Sequence, residues 1–235
     1  MEIDVAISAD RNLFVFHPGM EFAHLRSSKS IKDMTSSEVS ELRFVNQDGV
    51  PTEHKVSLLD EVFDLFKGRC IINVDKFWTA MPEITACIRR HGMEDQVIVK
   101  TSADEKWFSM VEEIAPELPY MPIIGKKDTF SEGLLKRKIN FIGAEVLFYT
   151  ESDETCSESY VSWMHDHDLL LWANAIVYNS RVQLAAGHSD DISIVGRQDE
   201  GWGWLVEKGY DIIQTDWMLP CREYFKLRGM KVREM

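Results

Sequence analysis

The chain has 235 residues, 45% hydrophobic and 28% charged, a size and balance that suit one soluble domain with a sizeable core. Its formal net charge of −13 argues against nucleic acid as a partner, yet leaves room for a small anionic ligand, because a bound cation reverses the local field. No apolar run approaches the ~20 residues of a membrane span, and Glu2 and Asp4 interrupt the N-terminal apolar stretch, so neither a span nor a signal peptide is expected.

In chain order, MEIDVAIS reads as a strand, ADRN as a turn, and LFVFH (13–17) as a second short extended run. Residues 31–44 are polar and partly helical, with Thr35 as cap and Glu38 three residues on. Residues 57–67 form an amphipathic helix with Leu58, Val62 and Phe66 on one face. CIINV (70–74) is a buried-type strand that runs into Asp75. Helices then alternate with strands: helices over 82–91, 104–114, 130–138, 159–167, 201–208 and 220–228, and strands over 96–100, 120–124, 141–149, 169–174 and 211–215. Seven core strands alternating with helices predict a parallel sheet with right-handed crossovers. No glycine-rich phosphate loop follows any strand, which favours a barrel over an open doubly wound sheet. Repeats and linkers are absent, so one domain over 1–235 is expected. The four cysteines, Cys70, Cys87, Cys156 and Cys221, are scattered without a C-x-x-C pair. They indicate neither a zinc site nor a disulfide framework, and fit a reducing, cytoplasmic compartment.

Several residues have the right type and place for chemistry. Glu2 and Asp4, two apart on a strand, share a face, while Ile3, Val5 and Ile7 fill the other. Two carboxylates so placed raise each other's pKa unless a cation neutralises them, and oxygen ligands suit Mg²⁺ or Ca²⁺. Asp75 ends a buried strand, where a carboxylate is costly unless it is metal-bound or paired, with Lys76 for example; the two readings stand even. His17 leaves an extended run at Pro18 and Gly19, a place for a general acid or base and equally for a solvated imidazole. Lys100 ends QVIVK and can meet a phosphate as a point charge or snorkel at a rim. Trp172 and Asn174 close LLLWAN, and Thr215 and Asp216 close DIIQTD. For these the structural alternatives are core packing and a cap on the helix at Pro220. Glu145, inside a core strand, carries less weight. His165 and His167 point to different faces of a helix end, which argues against a shared metal. His188, near two carboxylates in AAGHSDD, is a loop residue first and a cation site second.

Taken together and in order, these segments resemble the glycerophosphodiester phosphodiesterase family. MEIDV is similar to its E-x-D-V strand, and LFVFH to the run ending in a catalytic histidine. SIKDMTSSEVSELR and VSLLDEVFDLF are similar to the segments that follow, LLLWAN to its W-(T/A)-x-N strand, and KGYDIIQTDW to its closing motif. The resemblance implies a TIM-type (β/α) barrel. It implies a divalent cation, Mg²⁺ or Ca²⁺, on Glu2, Asp4 and Asp75, and catalysis by His17. It implies substrate contacts from Lys76, Lys100, Trp172, Asn174 and Asp216. The sequence departs from the family at N-V-D-K-F-W, where E-x-K is usual; Asn73 and Asp75 compete for the ligand position, and the charged carboxylate is preferred. Pro18 also stands where an aspartate is usual.

The resemblance further implies that the chain opens at the family's second strand, without the H-R-G strand and P-E-N-T segment that supply a second histidine, an arginine and a glutamate. A barrel opened in this way is expected to self-associate. The implied reaction cleaves a small glycerophosphodiester to glycerol phosphate and an alcohol, with weak or no turnover for the chain as it stands and full turnover with an upstream segment. Two rivals remain: a non-catalytic barrel that binds a cation or a phosphodiester, and a related phospholipase-type enzyme marked by an exposed apolar patch near the strand C-termini.

Overall fold

Alternating side chains give the first strand two opposite faces, and the structure uses both. The computed structural model describes residues 1–178, 182 and 184–232. Residues Met1–Pro119 with Lys138–Asn140 form one compact unit, and Tyr120–Arg137 with Phe141–Met235 form a second.

In the first unit, β1 (Glu2–Ile7) turns at residues 8–12 and pairs antiparallel with β2 (Leu13–Val15). Two short helices follow, α1 (Glu21–Leu25) and α2 (Ser36–Ser40), and then α3 (Leu59–Phe66), β3 (Ile72–Asp75), α4 (Met81–His91), β4 (Val97–Ser102) and α5 (Glu105–Ile114). β1, β3 and β4 run parallel, with Ile3 level with Val74, and Val74 with Val99. Ile3, Val5, Ile72, Val74, Val97 and Val99 are all buried, and so are Leu59, Phe63, Ile84, Ile88, Phe108 and Val111 on the helices of this unit. This is the β-branched strand face and apolar helix stripe that a layered α/β unit needs. α3 buries Leu59 and Phe63. Leu58, Val62 and Phe66, the stripe expected from periodicity, are only partly covered, because the buried arc is centred one residue further along. Thr35 and Glu38 close a full capping box on α2.

Between β2 and α3 lies a small core of its own: Ala6, Phe14, Phe16, Leu25, Ile31, Met34, Val39 and Val56. It anchors the β1–β2 hairpin. Ile31 is fully buried there, so Ile31→Val is expected to lower stability by about 1 kcal/mol in urea denaturation, the usual cost of one deleted core methylene.

In the second unit, β5 (Tyr120–Ile124), α6 (Ser131–Leu134), β6 (Gly143–Val146), α7 (Glu158–Asp166), β7 (Leu170–Asn174), α8 (Asp190–Ile194), α9 (Trp204–Lys208), β8 (Ile212–Gln214) and α10 (Met218–Leu227) follow in order. β5 to β8 are parallel, each paired with the next. The helix expected over 130–138 shortens to α6, and that over 201–208 begins with a single π turn at Asp199–Gly203. Gly143 sits at φ +153, and a Cβ there would lie 2.0 Å from the Leu170 carbonyl oxygen, so the close approach of β6 and β7 requires glycine. No helix among the described residues is long and apolar enough to cross a membrane.

Candidate metal centre and proton-transfer site

Strand register assembles the centre. Glu2 lies level with Asn73 and Asp4 with Asp75, so all four project from one face of the β1–β3 pair, opposite the apolar face. Asp75 is the last residue of β3, so Asp4, near the start of β1, lies level with the C-terminal end of β3, the end of a parallel strand where (β/α) barrels carry their chemistry. β1 continues upward past this level into its hairpin with β2. Carboxylate oxygens of Glu2, Asp4 and Asp75 all lie within 4.8 Å of one another. Lys76, in the left-handed region at φ 56, turns the chain sharply after Asp75. Its backbone N–H donates to Asp75 Oδ1 at 2.6 Å, and its ammonium returns to 3.5 Å from Asp4 Oδ1. On β4, Ile98 is level with Asn73; Lys100, two residues on and on the same face, is 1% exposed.

The electrostatics are those of an under-neutralised cradle. Burial, then the charges of Asp4 and Asp75, push the Glu2 carboxyl up to about 7, against the smaller opposing pull of Lys100 and Lys76. Asn73 adds a second sign. It is 2% exposed, and neither its amide oxygen nor its nitrogen has a hydrogen-bond partner. Buried polar atoms are costly when unpaired, and a bound ion or ligand in the cradle would meet them. Three carboxylates and a neutral amide oxygen are hard donors that fit Mg²⁺ or Ca²⁺.

The sign of the Glu2 shift gives a test. Its folded value lies above the unfolded one, so the folded state binds this proton more tightly. Glu2 therefore favours folding most below about 4.5, and that contribution is lost as pH rises to about 7. Without divalent cation, Glu2→Gln is expected to raise Tm at pH 8 and leave it nearly unchanged at pH 4.5. With Mg²⁺ or Ca²⁺ at pH 8 the wild type should gain Tm and the variant should gain less.

The hairpin brings the chain just before His17 back beside Asp4. Phe16 N–H donates to the Asp4 carbonyl at 3.0 Å, and Phe14 and Phe16 are buried in the hairpin's own core, which fixes the chain up to the exposed His17. His17 Nδ1 lies 2.9 Å from the Pro18 carbonyl oxygen. As donor there, Nδ1 holds the proton and leaves Nε2 as the basic nitrogen.

The remaining expected residues belong to the second unit. Trp172 and Asn174 are buried on one face of β7, and Asn174 Nδ2 donates to Glu145 Oε1 at 2.7 Å. Asp216 is exposed just after β8, and does not cap α10, whose first residues have no side-chain cap. Its backbone N–H donates instead to Asp190 Oδ2 at 2.9 Å. Asp190, 2% exposed, also accepts from Trp202 Nε1 at 2.7 Å and Thr215 Oγ1 at 2.6 Å. His188 stacks on Trp204 at 3.6 Å and meets Glu151 and the Glu200 carbonyl. The carboxylate of Asp190 is thus committed to Trp202, Thr215 and Asp216.

Comparison with solved structures decides the fold. A glycerophosphoryl diester phosphodiesterase from Parabacteroides distasonis ATCC 8503 matches with a TM-score of 0.77 at 17% identity, over 99% of this chain and 77% of that one. The chain has the fold of the glycerophosphodiester phosphodiesterases. It is an α/β fold with a mainly parallel sheet, matching (β/α)-barrel enzymes. The glycerophosphodiester phosphodiesterase of Thermotoga maritima matches with a TM-score of 0.62 at 18% identity, over 97% of this chain and 84% of that one. A phosphodiesterase of Oleispira antarctica, solved with its product sn-glycerol-3-phosphate, matches with a TM-score of 0.67 at 14% identity, over 97% and 84%. Residues 120–225 match a family described as a domain of unknown function, DUF4996. No curated protein matches the sequence. Identities this low carry the fold and not the activity.

Proposed function

We propose that this chain is a divalent-cation-dependent phosphodiesterase that cleaves glycerophosphodiesters to glycerol phosphate and an alcohol. The observation that carries the reading is the convergence of Glu2, Asp4 and Asp75 within 4.8 Å on the polar face of β1 and β3. In this reading Glu2, Asp4 and Asp75 hold Mg²⁺ or Ca²⁺. The cation would neutralise charge developing on a phosphoryl oxygen. His17 Nε2 takes the proton of the attacking hydroxyl, and the Nδ1–H contact to Pro18 keeps the ring in the tautomer that can do so. Lys76 and Lys100 supply positive charge beside the carboxylates for the phosphate.

One observation favours a lipid-borne phosphodiester as a second reading. Trp217, Met218 and Leu219 form an exposed apolar run directly after β8. Such a run beside a strand C-terminus suits contact with acyl chains or a bilayer surface.

The test is release of glycerol phosphate from glycerophosphocholine and glycerophosphoethanolamine, and of head group from lysophospholipid vesicles, with Mg²⁺, Ca²⁺ or EDTA. Cation-dependent turnover lost in Asp4→Asn supports the proposal, and the preferred substrate separates the two readings. Cation binding that needs Asp4, without turnover on any of these substrates, would replace the enzyme by a binding barrel.

A further inference from the structure

A second cluster of metal-ligating side chains lies away from the carboxylate centre, between the outer helices α3 and α4. Each helix contributes residues one turn apart: Asp60 and Asp64 from α3, Cys87 and His91 from α4. Ligand atoms of Asp60, Cys87 and His91 all lie within 4.8 Å of one another. His91 Nε2 is 2.8 Å from Asp60 Oδ1, and its Nδ1 is 3.0 Å from Asp64 Oδ1. The Phe63 ring packs edge-on against the imidazole at 5.7 Å. Cys87 is fully buried, while Asp60 is 41% exposed and gives the cluster an opening to solvent.

We propose that Asp60, Cys87 and His91 form a binding site for a transition-metal cation of the Zn²⁺ type. The donor set is one thiolate, one imidazole nitrogen and one carboxylate, the set that selects Zn²⁺ over the hard cations suited to Glu2, Asp4 and Asp75. Donors around tetrahedral Zn²⁺ stand about 3.5 Å apart, so the observed spacing closes with small side-chain shifts. With Nε2 as ligand, Nδ1–H donates to Asp64. This is the carboxylate–histidine–metal relay that fixes tautomer and ring plane at such sites. Arg90, whose guanidinium reaches Asp60 at 2.5 Å and Cys87 Sγ at 3.4 Å, then hydrogen-bonds the ligands from outside.

The charges balance. Without metal, each His91 ring nitrogen lies beside a carboxylate, and where both carry protons the two bonds form together. Cys87 is then a neutral thiol. Zn²⁺ binding frees His91 Nε2 of any proton it carries and displaces the proton of the Cys87 thiol, and Asp60 and Asp64 with the thiolate offset Arg90 and the cation. Burial pushes the metal-free thiol up to about 12. A coordinating divalent cation overcomes this, since bound thiols are deprotonated outright.

The experiment is Co²⁺ titration of the reduced, chelator-treated full chain, followed by absorption. The expected result is a thiolate-to-cobalt charge-transfer band and visible absorption of tetrahedral type that correspond to one equivalent of Co²⁺, abolished by Zn²⁺ and untouched by Mg²⁺. The band should vanish in Cys87→Ser and persist in Asp4→Asn. Asp64→Asn, on an exposed side chain that tolerates change, should weaken Co²⁺ binding about 10–100-fold while circular dichroism stays native. No thiolate band in the folded wild type would overturn the proposal. So would a band that survives in Cys87→Ser, or unchanged affinity in Asp64→Asn.

Discussion

If the chain cleaves glycerophosphodiesters as proposed, His17→Ala is expected to lower cation-dependent release of glycerol phosphate by about 10²–10⁴-fold, the usual cost of removing a general acid–base group. The loss appears in kcat. The metal cradle is untouched, because His17 contributes no atom to the Glu2, Asp4 and Asp75 cluster. Stability is expected to be untouched as well: His17 is exposed, and its ring bonds to the carbonyl of the next residue. The hairpin is held from elsewhere, by Phe14 and Phe16 in their own core and by the Phe16 bond to Asp4. The discriminating measurement is kcat with and without added imidazole, which should restore part of the rate in the variant. Equal kcat in both proteins would remove His17 from the reaction.

What could be read from the sequence was what has a local period. The alternation in MEIDVAIS separates Glu2 and Asp4 from Ile3 and Val5, and the structure puts these on opposite faces. The run CIINV pointed to a buried strand ending at a carboxylate, and β3 ends at Asp75. Register supplied the rest: nothing in the sequence says that Asp75 is level with Asp4 and not with Glu2. The same gap hid the amide of Asn73, which competed with Asp75 for one ligand position in sequence terms, although the two are neighbours on one strand face. Pairings between distant helices have no local trace either. Absence of a C-x-x-C pair argued against a zinc site, yet a cysteine and a histidine four apart on α4 face two aspartates four apart on α3. Short helices set by tertiary contacts, α1 and α8, were also missed, because five residues are too few to show a helical period.

Asp190→Ala is expected to cost about 3 kcal/mol in stability, and to do so through three groups at once. The Asp190 carboxylate is almost wholly buried, and its contacts come from two parts of the second unit: the indole N–H of Trp202, and the hydroxyl of Thr215 with the backbone N–H of Asp216. Its own backbone N–H donates to the Ala175 carbonyl at the end of β7. The side chain thus fastens the end of β8 to the turn before α9, and the backbone N–H of the same residue ties in the end of β7. Alanine leaves three donors without an acceptor, and Trp202, 1% exposed, cannot turn its indole to water. The cost stays below the sum of three lost bonds, because removing the carboxylate also removes the penalty of burying a charge. Asp190→Asn separates the two effects. Its amide keeps one acceptor oxygen for Trp202 and Thr215 but places N–H₂ against the Asp216 N–H, so it should recover part of the loss and leave the turn after β8 loosened. Urea denaturation reads the stability. Amide exchange at Asp216 reads the turn, with faster exchange expected in both variants. Wild-type stability in Asp190→Ala would mean that water replaces the carboxylate, and that the strand ends are held by packing alone.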